Sequence, residues 1–370
     1  MPNQLATELN EMIHRDNPHV FQMLSELGRD LYFPKGILTQ TAEAKQKATR
    51  HNVTIGIATE NGQAMHLDSV MRHFSGLSAD EALPYAPSTG RADLRAKWKE
   101  LILKKNRSLE LKPFSLPVVT SGITHGLSVV ADLFVACDDL VLLPEKAWGN
   151  YNMIFGVRRG APVAKYPFFG DSGGFDVEGF RQAVQNRATN RRMIVILNFP
   201  NNPTGYSVTT AEAEAICDAL TVVADSGCNV VAVCDDAYFG LFYEDDVLKE
   251  SLFTRLTDRH ENILAVKLDG ATKEDYVWGL RTGFITFGTK DGSAGTYDGL
   301  EKKTGGCIRG TISNCSHVSQ SILLKAMSDD DYARQRQEKF DVLKSRAAKV
   351  KEVLAQERFS SVWTPYPFNS

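Results

Sequence analysis

From about Val118 to Phe287 the chain alternates short apolar runs, many β-branched, with longer stretches whose apolar residues recur every three or four positions. Six runs read as strands: Leu116–Thr120, Leu140–Leu143, Met193–Asn198, Val230–Asp235, Ile263–Leu268 and Phe284–Phe287. Between them, Ile123–Ala136, Asp176–Arg187 and Thr209–Ser226 read as helices. Near-continuous apolar strands separated by helices predict an α/β fold, with a mostly parallel central sheet covered on both faces. The pattern changes in the tail. Ser319 to Glu357 reads as long charged amphipathic helices, interrupted around Ser328–Asp331, whereas the glycine-rich Gly288–Gly310 reads as a loop or short irregular helix. The expected organisation is an N-terminal arm with part of a small domain over residues 1–65 and a large domain over 66–315. An interdomain helix and a further part of the smaller α/β domain, built from both chain ends, would occupy 316–370.

Composition narrows the class. The chain has 370 residues, 43% of them hydrophobic and 24% charged, enough for a sizeable core and unlike a disordered chain. Lys plus Arg number 42 against 45 Asp plus Glu, a net charge of −3. That balance lacks the basic excess of a nucleic-acid footprint. No apolar run approaches the roughly 20 residues of a membrane span. Met1–Asp16 is polar and mixed in charge, with no apolar core of a secretory signal, and Glu8, Glu11 and Asp16 argue against a transit segment. The six cysteines, Cys137, Cys217, Cys228, Cys234, Cys307 and Cys315, form no C-x-x-C pair. They suit reduced thiols in a cytoplasmic protein. The eight histidines form no cluster at zinc spacing, so no metal site is expected.

Candidate chemistry falls just beyond the strands, where open α/β sheets collect their ligands. Ser121-Gly122-Ile123-Thr124 opens a helix after the first strand. Free backbone N–H groups there suit a phosphate, although ordinary capping by Ser121 would give the same pattern. Asn198-Phe199-Pro200-Asn201-Asn202-Pro203-Thr204-Gly205 makes a rigid turn-rich loop, and an Asn before Pro can host a cis peptide. Asp235 follows a buried strand and needs a cation or hydrogen-bond donors; otherwise it is a turn residue. Lys273, beyond the next strand, is either a solvated cation or an amine activated by burial.

Taken in order, these stretches resemble the class I/II aminotransferases, the fold type I pyridoxal-phosphate enzymes of the aspartate aminotransferase type. The matching stretches are Asn202-Pro203-Thr204-Gly205, Asp235-x-x-Tyr238, and Lys273 followed eight residues later by Arg281. Tyr85-Ala86-Pro87-Ser88-Thr89-Gly90, Ser121-Gly122-Ile123 and Trp148-Gly149-Asn150 support them. The resemblance implies pyridoxal 5′-phosphate as cofactor and transamination between an amino acid and a 2-oxo acid. It implies that Lys273 bonds to the cofactor aldehyde and later moves a proton at the substrate Cα. Asp235 would keep the ring nitrogen protonated, Tyr238 and Asn202 would bond the ring's phenolic oxygen, and Trp148 would stack on the ring face. Arg281, Ser121, Gly122, Ile123 and Thr272 would hold the phosphate. Tyr85 would reach the phosphate of a second subunit, which implies a homodimer with small-molecule substrates. Arg309, four residues before Ser313-Asn314, resembles the arginine that binds a dicarboxylic side chain across that interface. Gly56, after Ile55 and before Glu60-Asn61-Gly62, resembles the same subgroup at the substrate site. Relatives acting on aromatic amino acids keep a similar arginine, so aspartate, glutamate and aromatic substrates all stay open.

Two departures stand out. The family usually carries a hydroxyl residue three before the lysine; here the position is Gly270, so Thr272, Ser121 or the backbone would serve the phosphate instead. The chain stops at Pro367-Phe368-Asn369-Ser370, after a strand-like 362–366, whereas the family continues into the part carrying the arginine for the α-carboxylate. A longer natural chain is therefore expected. The same Lys, Asp, Tyr and Arg set also serves β-lyases and decarboxylases. A non-catalytic effector domain would need an N-terminal basic DNA-binding module, for which the first fifty residues are too few and too mixed in charge.

Overall fold

A computed structural model describes residues 3–370 except 35, 36, 51, 53, 55, 172, 189, 190 and 363–366, with the backbone alone at 37–39. Ile55 and most of the strand-like stretch at 362–366 thus lie outside the described residues. A short hairpin, β1 (Thr59–Glu60) with β2 (Gln63–Ala64), precedes the main sheet. That sheet has seven strands: β3 (Val118–Thr120), β4 (Leu140–Pro144), β5 (Val163–Tyr166), β6 (Arg192–Asn198), β7 (Asn229–Asp235), β8 (Ile263–Asp269) and β9 (Gly283–Thr289). Their order is β3-β9-β8-β7-β6-β4-β5. Strands β4 to β8 run parallel, while β9 is antiparallel to both β8 and β3. The carboxyl ends of β3, β6, β7 and β8 therefore share one edge of the sheet.

The apolar strands are explained by burial on both faces. In β6, Met193, Val195 and Leu197 join one apolar layer, and Ile194 and Ile196 the other. In β7, Ala232 and Cys234 alternate in the same way with Val231 and Val233. The helices Ala92–Lys105, Val177–Gln185 and Thr210–Asp225 contribute to the first layer, with Trp98 stacked on Phe284 at 4.1 Å between ring centroids. The helices Gly122–Phe134 and Ala294–Thr311 contribute to the second.

Two sequence expectations are corrected. Gly288–Gly310 is not a loop: Ala294–Thr311 is an 18-residue α-helix, capped by Ser293, whose side chain accepts from the Thr296 amide. Its buried face is Tyr297, Thr304, Gly305 and Ile308, and a Cβ at Gly305 would come within 2.9 Å of Thr89 Cγ2. Close packing against the loop before Arg91 overrides the low helix propensity of glycine. Strand β5 was not expected; it is a four-residue edge strand with an exposed Lys165, too short and too polar to show a period. The tail agrees with its pattern, as helices His317–Ser328 and Tyr332–Leu354. The second of these meets the early hairpin: Lys339 pairs with Glu60 at 2.5 Å, and Arg346 donates to the Thr59 carbonyl at 2.7 Å. All six cysteines are free thiols, Cys137 exposed and Cys307 half-buried. Among the described residues no helix is long and apolar enough to cross a membrane, and no His, Cys, Asp and Glu group could hold a metal ion.

Candidate active site

The shared strand edge gathers most of the expected residues. Asp235 ends β7 on the face occupied by Val231 and Val233, and is 3% exposed. The Tyr151 hydroxyl donates to its Oδ2 at 2.5 Å, and the Ala237 amide donates to Oδ1 at 3.1 Å. Burial pushes its pKa above the ordinary carboxylate value, while Tyr151, the Ala237 amide and the Lys273 charge pull the other way. The buried carboxylate thus has the donors that its position demands. Asn198, opposite Asp235 in register, donates to the Asp235 carbonyl at 2.9 Å.

The loop after β6 is built from its own side chains. Asn198 Oδ1 accepts from the Asn202 amide at 2.8 Å, and Asn201 Oδ1 accepts from the Thr204 amide and hydroxyl at 3.1 and 2.8 Å. The Phe199–Pro200 and Asn202–Pro203 peptides are both cis. Asn198 and Asn201 are consumed in shaping the loop. The Asn202 side chain has no hydrogen-bond partner among the described residues.

Lys273 lies in the short helix Ala271–Glu274 after β8. Its Nζ sits 5.0 Å from the centroid of the Tyr238 ring and forms no ion pair among the described residues. Burial lowers its pKa below the ordinary lysine value and Arg281 adds to this, while Asp235 opposes it. The amine is thereby biased toward its neutral, nucleophilic form. Burial also raises the pKa of Tyr238, whose hydroxyl has no hydrogen-bond partner among the described residues.

A network that sequence reasoning missed fixes this helix. Glu274 and Asp275, both buried, meet Arg336 at 2.7 and 2.9 Å; Lys105 meets Glu274 at 2.8 Å and the Tyr332 hydroxyl meets Asp275 at 2.7 Å. On the sheet face opposite Asp235, buried Lys267 pairs with Asp236 and, at 3.2 Å, with Asp269, which also accepts from Trp98 Nε1 at 3.0 Å. Burial works against the Lys267 charge, yet these carboxylates hold its pKa above the usual lysine value. Lys267 is therefore a fixed structural cation, unlike Lys273. Acid–cation pairs hidden in apolar strand text leave no period to read.

Beside Lys273 the backbone forms a tight cradle. Arg281, with φ of 50°, lies against Gly122, where a Cβ would come within 2.5 Å of Arg281 Nη2. A Cβ at Gly270 would lie 2.7 Å from the Thr282 carbonyl oxygen and 2.8 Å from Gly283 Cα. No hydroxyl side chain fits at 270 in this chain, which accounts for that departure. Thr272 Oγ1 is buried and has no hydrogen-bond partner among the described residues. Ser121 makes no side-chain capping bond to the helix Gly122–Phe134; its amide donates instead to His125 Nδ1 at 3.1 Å. The leading amides of that helix, which start at Gly122 and Ile123, have no intrahelical acceptor. Arg281 makes no ion pair among the described residues, so a guanidinium, a helix N-terminus and an orphaned hydroxyl remain for an anion.

A family model described as aminotransferase class I and II matches residues 52–366. The chain belongs to this family. The family's cofactor is pyridoxal 5′-phosphate. The cradle fits its phosphate, and the free amine, phenol, amide and carboxylate beside it fit the rest of its polar groups. Among curated relatives, the aspartate aminotransferase of Bacillus subtilis (strain 168) is 25% identical over 266 residues, covering 70% of this chain and 62% of its own. The probable aspartate/prephenate aminotransferase of Aquifex aeolicus (strain VF5) is 28% identical over 211 residues, 56% of this chain and 52% of its own. The chain thus spans less than two thirds of the length of these relatives. The crystal structure of an aminotransferase from Anaerococcus prevotii DSM 20548 shares the fold, with a TM-score of 0.80 at 20% identity over 94% of this chain and 86% of that one.

Four expected residues lie apart from or at the rim of this cluster. Trp148 is half-buried and meets Tyr151 edge-on, with ring centroids 5.6 Å apart. Tyr85 is 90% exposed, and Gly56 is exposed with open space around it. Arg309 is exposed on the helix Ala294–Thr311 and donates to Ser313 Oγ at 2.7 Å.

Proposed function

We propose that the chain is a pyridoxal-phosphate-dependent aminotransferase that exchanges an amino group between a dicarboxylic or aromatic amino acid and a 2-oxo acid. The observation that carries this reading is the group of unspent polar side chains at one sheet edge: the free Lys273 amine, the Tyr238 phenol, the Asn202 amide and the Thr272 hydroxyl, beside a buried Asp235. When bound, the cofactor supplies a conjugated ring that accepts electrons from the substrate Cα. Lys273 would hold it through its amine and, when that amine is free, would move the proton at Cα, for which a depressed pKa is an advantage. Asp235 faces the ring nitrogen as an anion. Asn202 and Tyr238 donate to the phenolic oxygen, and Trp148 covers the ring face. Arg281, Ser121, Thr272 and the amides of Gly122 and Ile123 hold the phosphate.

Exposed Tyr85 and Arg309 suit a homodimer in which each chain completes its partner's site, Tyr85 at the phosphate and Arg309, with Gly56, at the substrate side chain. The names of the relatives support aspartate. In such a dimer Arg309→Leu is expected to weaken aspartate and glutamate about a hundredfold more than alanine or phenylalanine, a difference of about 2.7 kcal/mol. Only the dicarboxylates would then bury an unpaired charge. Equal losses for charged and uncharged donors would remove the dicarboxylate assignment.

The reaction itself is tested by titrating the cofactor-loaded protein with an amino acid and then a 2-oxo acid. The visible absorption of the cofactor should be lost in the first step and return in the second. Release of ammonia or carbon dioxide without any need for the 2-oxo acid would identify a lyase or decarboxylase.

A further inference from the structure

We propose that Asn369 is a positioning residue that holds the loop bearing Asn202 in place for the cofactor's phenolic oxygen; the inference rests on the reading of the site given above. The loop closes on itself at its base: the Gly205 amide donates to the Asn201 carbonyl and the Asn201 amide to the Tyr206 carbonyl, both at 2.9 Å. Its return limb, Gly205 to Ser207, still has backbone groups to satisfy. Asn369 supplies their partners from 162 residues beyond Ser207. Its Oδ1 accepts from the Ser207 amide at 2.6 Å, and its Nδ2 donates to the Ser207 carbonyl at 2.9 Å. Its own amide and that of Ser370 donate to the Gly205 carbonyl at 2.9 and 3.0 Å. Ser207 and Asn369 are 2% and 8% exposed, so water has little access to replace these bonds.

The fit is close. Gly205 has φ of 66°, and a Cβ there would come within 2.9 Å of the Ser370 carbonyl oxygen. The glycine of Asn202-Pro203-Thr204-Gly205 thus admits the tail as well as turning the chain. Asn369 also reaches the second loop of the site. Its carbonyl accepts from the Tyr243 amide at 2.9 Å, in the segment that follows Tyr238. Next to that contact, Lys351 pairs with Glu244 and lies over the Phe368 ring, 5.0 Å from its centroid. One asparagine thereby joins the two loops that carry Asn202 and Tyr238, the donors assigned to the phenolic oxygen. The Asn202 side chain has no hydrogen-bond partner among the described residues, so its direction comes from the loop backbone. Asn198 Oδ1 fixes the front of that loop by accepting from the Asn202 amide, and Asn369 fixes the back.

The test reads the visible absorption of the full-length, pyridoxal-phosphate-loaded protein against pH. Donors to the phenolic oxygen favour its anion and so lower the pH at which the absorption changes. Asn369→Ala, which keeps the backbone bonds of residue 369, should raise that midpoint by about one pH unit as the Asn202 amide loses its aim. Asn369→Ser, gentler on the fold, should raise it by a smaller step. Gln335→Ala is the control: Gln335 is 6% exposed, and its bonds go to the Ser69 amide, at 2.9 Å, and to Asp331, away from both loops. It should titrate like the parent. In an Asn202→Ala background, Asn369→Ala should add less than about a third of its own shift, because the side chain it acts through is gone. No rise in either Asn369 variant, an equal rise in Gln335→Ala, or full additivity with Asn202→Ala would overturn the proposal and leave the cofactor assignment standing. A parental midpoint in Asn202→Ala would overturn the role of Asn202 and the proposal with it. Failure of the parent to take up the cofactor would overturn the reading of the site itself.

Discussion

Lys273→Ala is expected to bind pyridoxal phosphate without covalent attachment and to slow the half-reaction with an amino donor by about 10⁴-fold, the upper range for a positioned proton-transfer group. The Lys273 amine is the one lysine amine at this sheet edge that lies beside Asp235 and Tyr238 without an ion pair among the described residues. Burial and Arg281 depress its pKa, which favours the neutral amine that acts as nucleophile and base. The neighbouring Glu274 and Asp275 are bound to Arg336, Lys105 and Tyr332, so the helix should hold its place when the lysine is shortened. Stopped-flow absorbance of the loaded variant measures the loss, and added methylamine should restore part of the rate. A variant that turns over within tenfold of the parent would show that another group moves the proton.

Asp235→Asn should keep the fold and bind cofactor more weakly, with a rate loss of about 10³-fold, or roughly 4 kcal/mol in the barrier. An amide is isosteric with the carboxylate and can keep partners for the Tyr151 hydroxyl and the Ala237 amide. It cannot stabilise a positive charge on the ring as an anion does. Steady-state rates with a saturating donor, alongside thermal melts, separate the two effects. A parental rate in a fully loaded Asp235→Asn protein would remove the ring-nitrogen role.

Much of this site was legible because its residues follow strands that announce themselves. Asp235 ends the apolar run now seen as β7, Asn202 and Lys273 lie just past β6 and β8, and parallel strands bring those ends to one edge. The free hydroxyl at Thr272 follows the same logic, with Gly270 too crowded for any side chain. Tyr151 was not legible. It sits three residues after Trp148 in a π-helical turn, Asn152–Val157 with its flank, and no periodicity says which aromatic faces the sheet. The need for it was visible: a carboxylate after a buried strand requires a donor. The helix Ala294–Thr311 was hidden for a different reason, since Gly305 reports close packing with Thr89 rather than a loop. Tyr85, Arg309 and Gly56 are exposed in the single chain, and the roles proposed for Tyr85 and Arg309 call for a second subunit.

The central claim is that the cofactor is held by one particular amine. Borohydride reduction of the pyridoxal-phosphate-loaded protein, followed by proteolysis and mass spectrometry, fixes the cofactor on the residue that carries it. The label is expected on the peptide containing Lys273. A label on Lys267, which Asp236 and Asp269 hold as a buried cation, or on Lys290 would contradict the assignment.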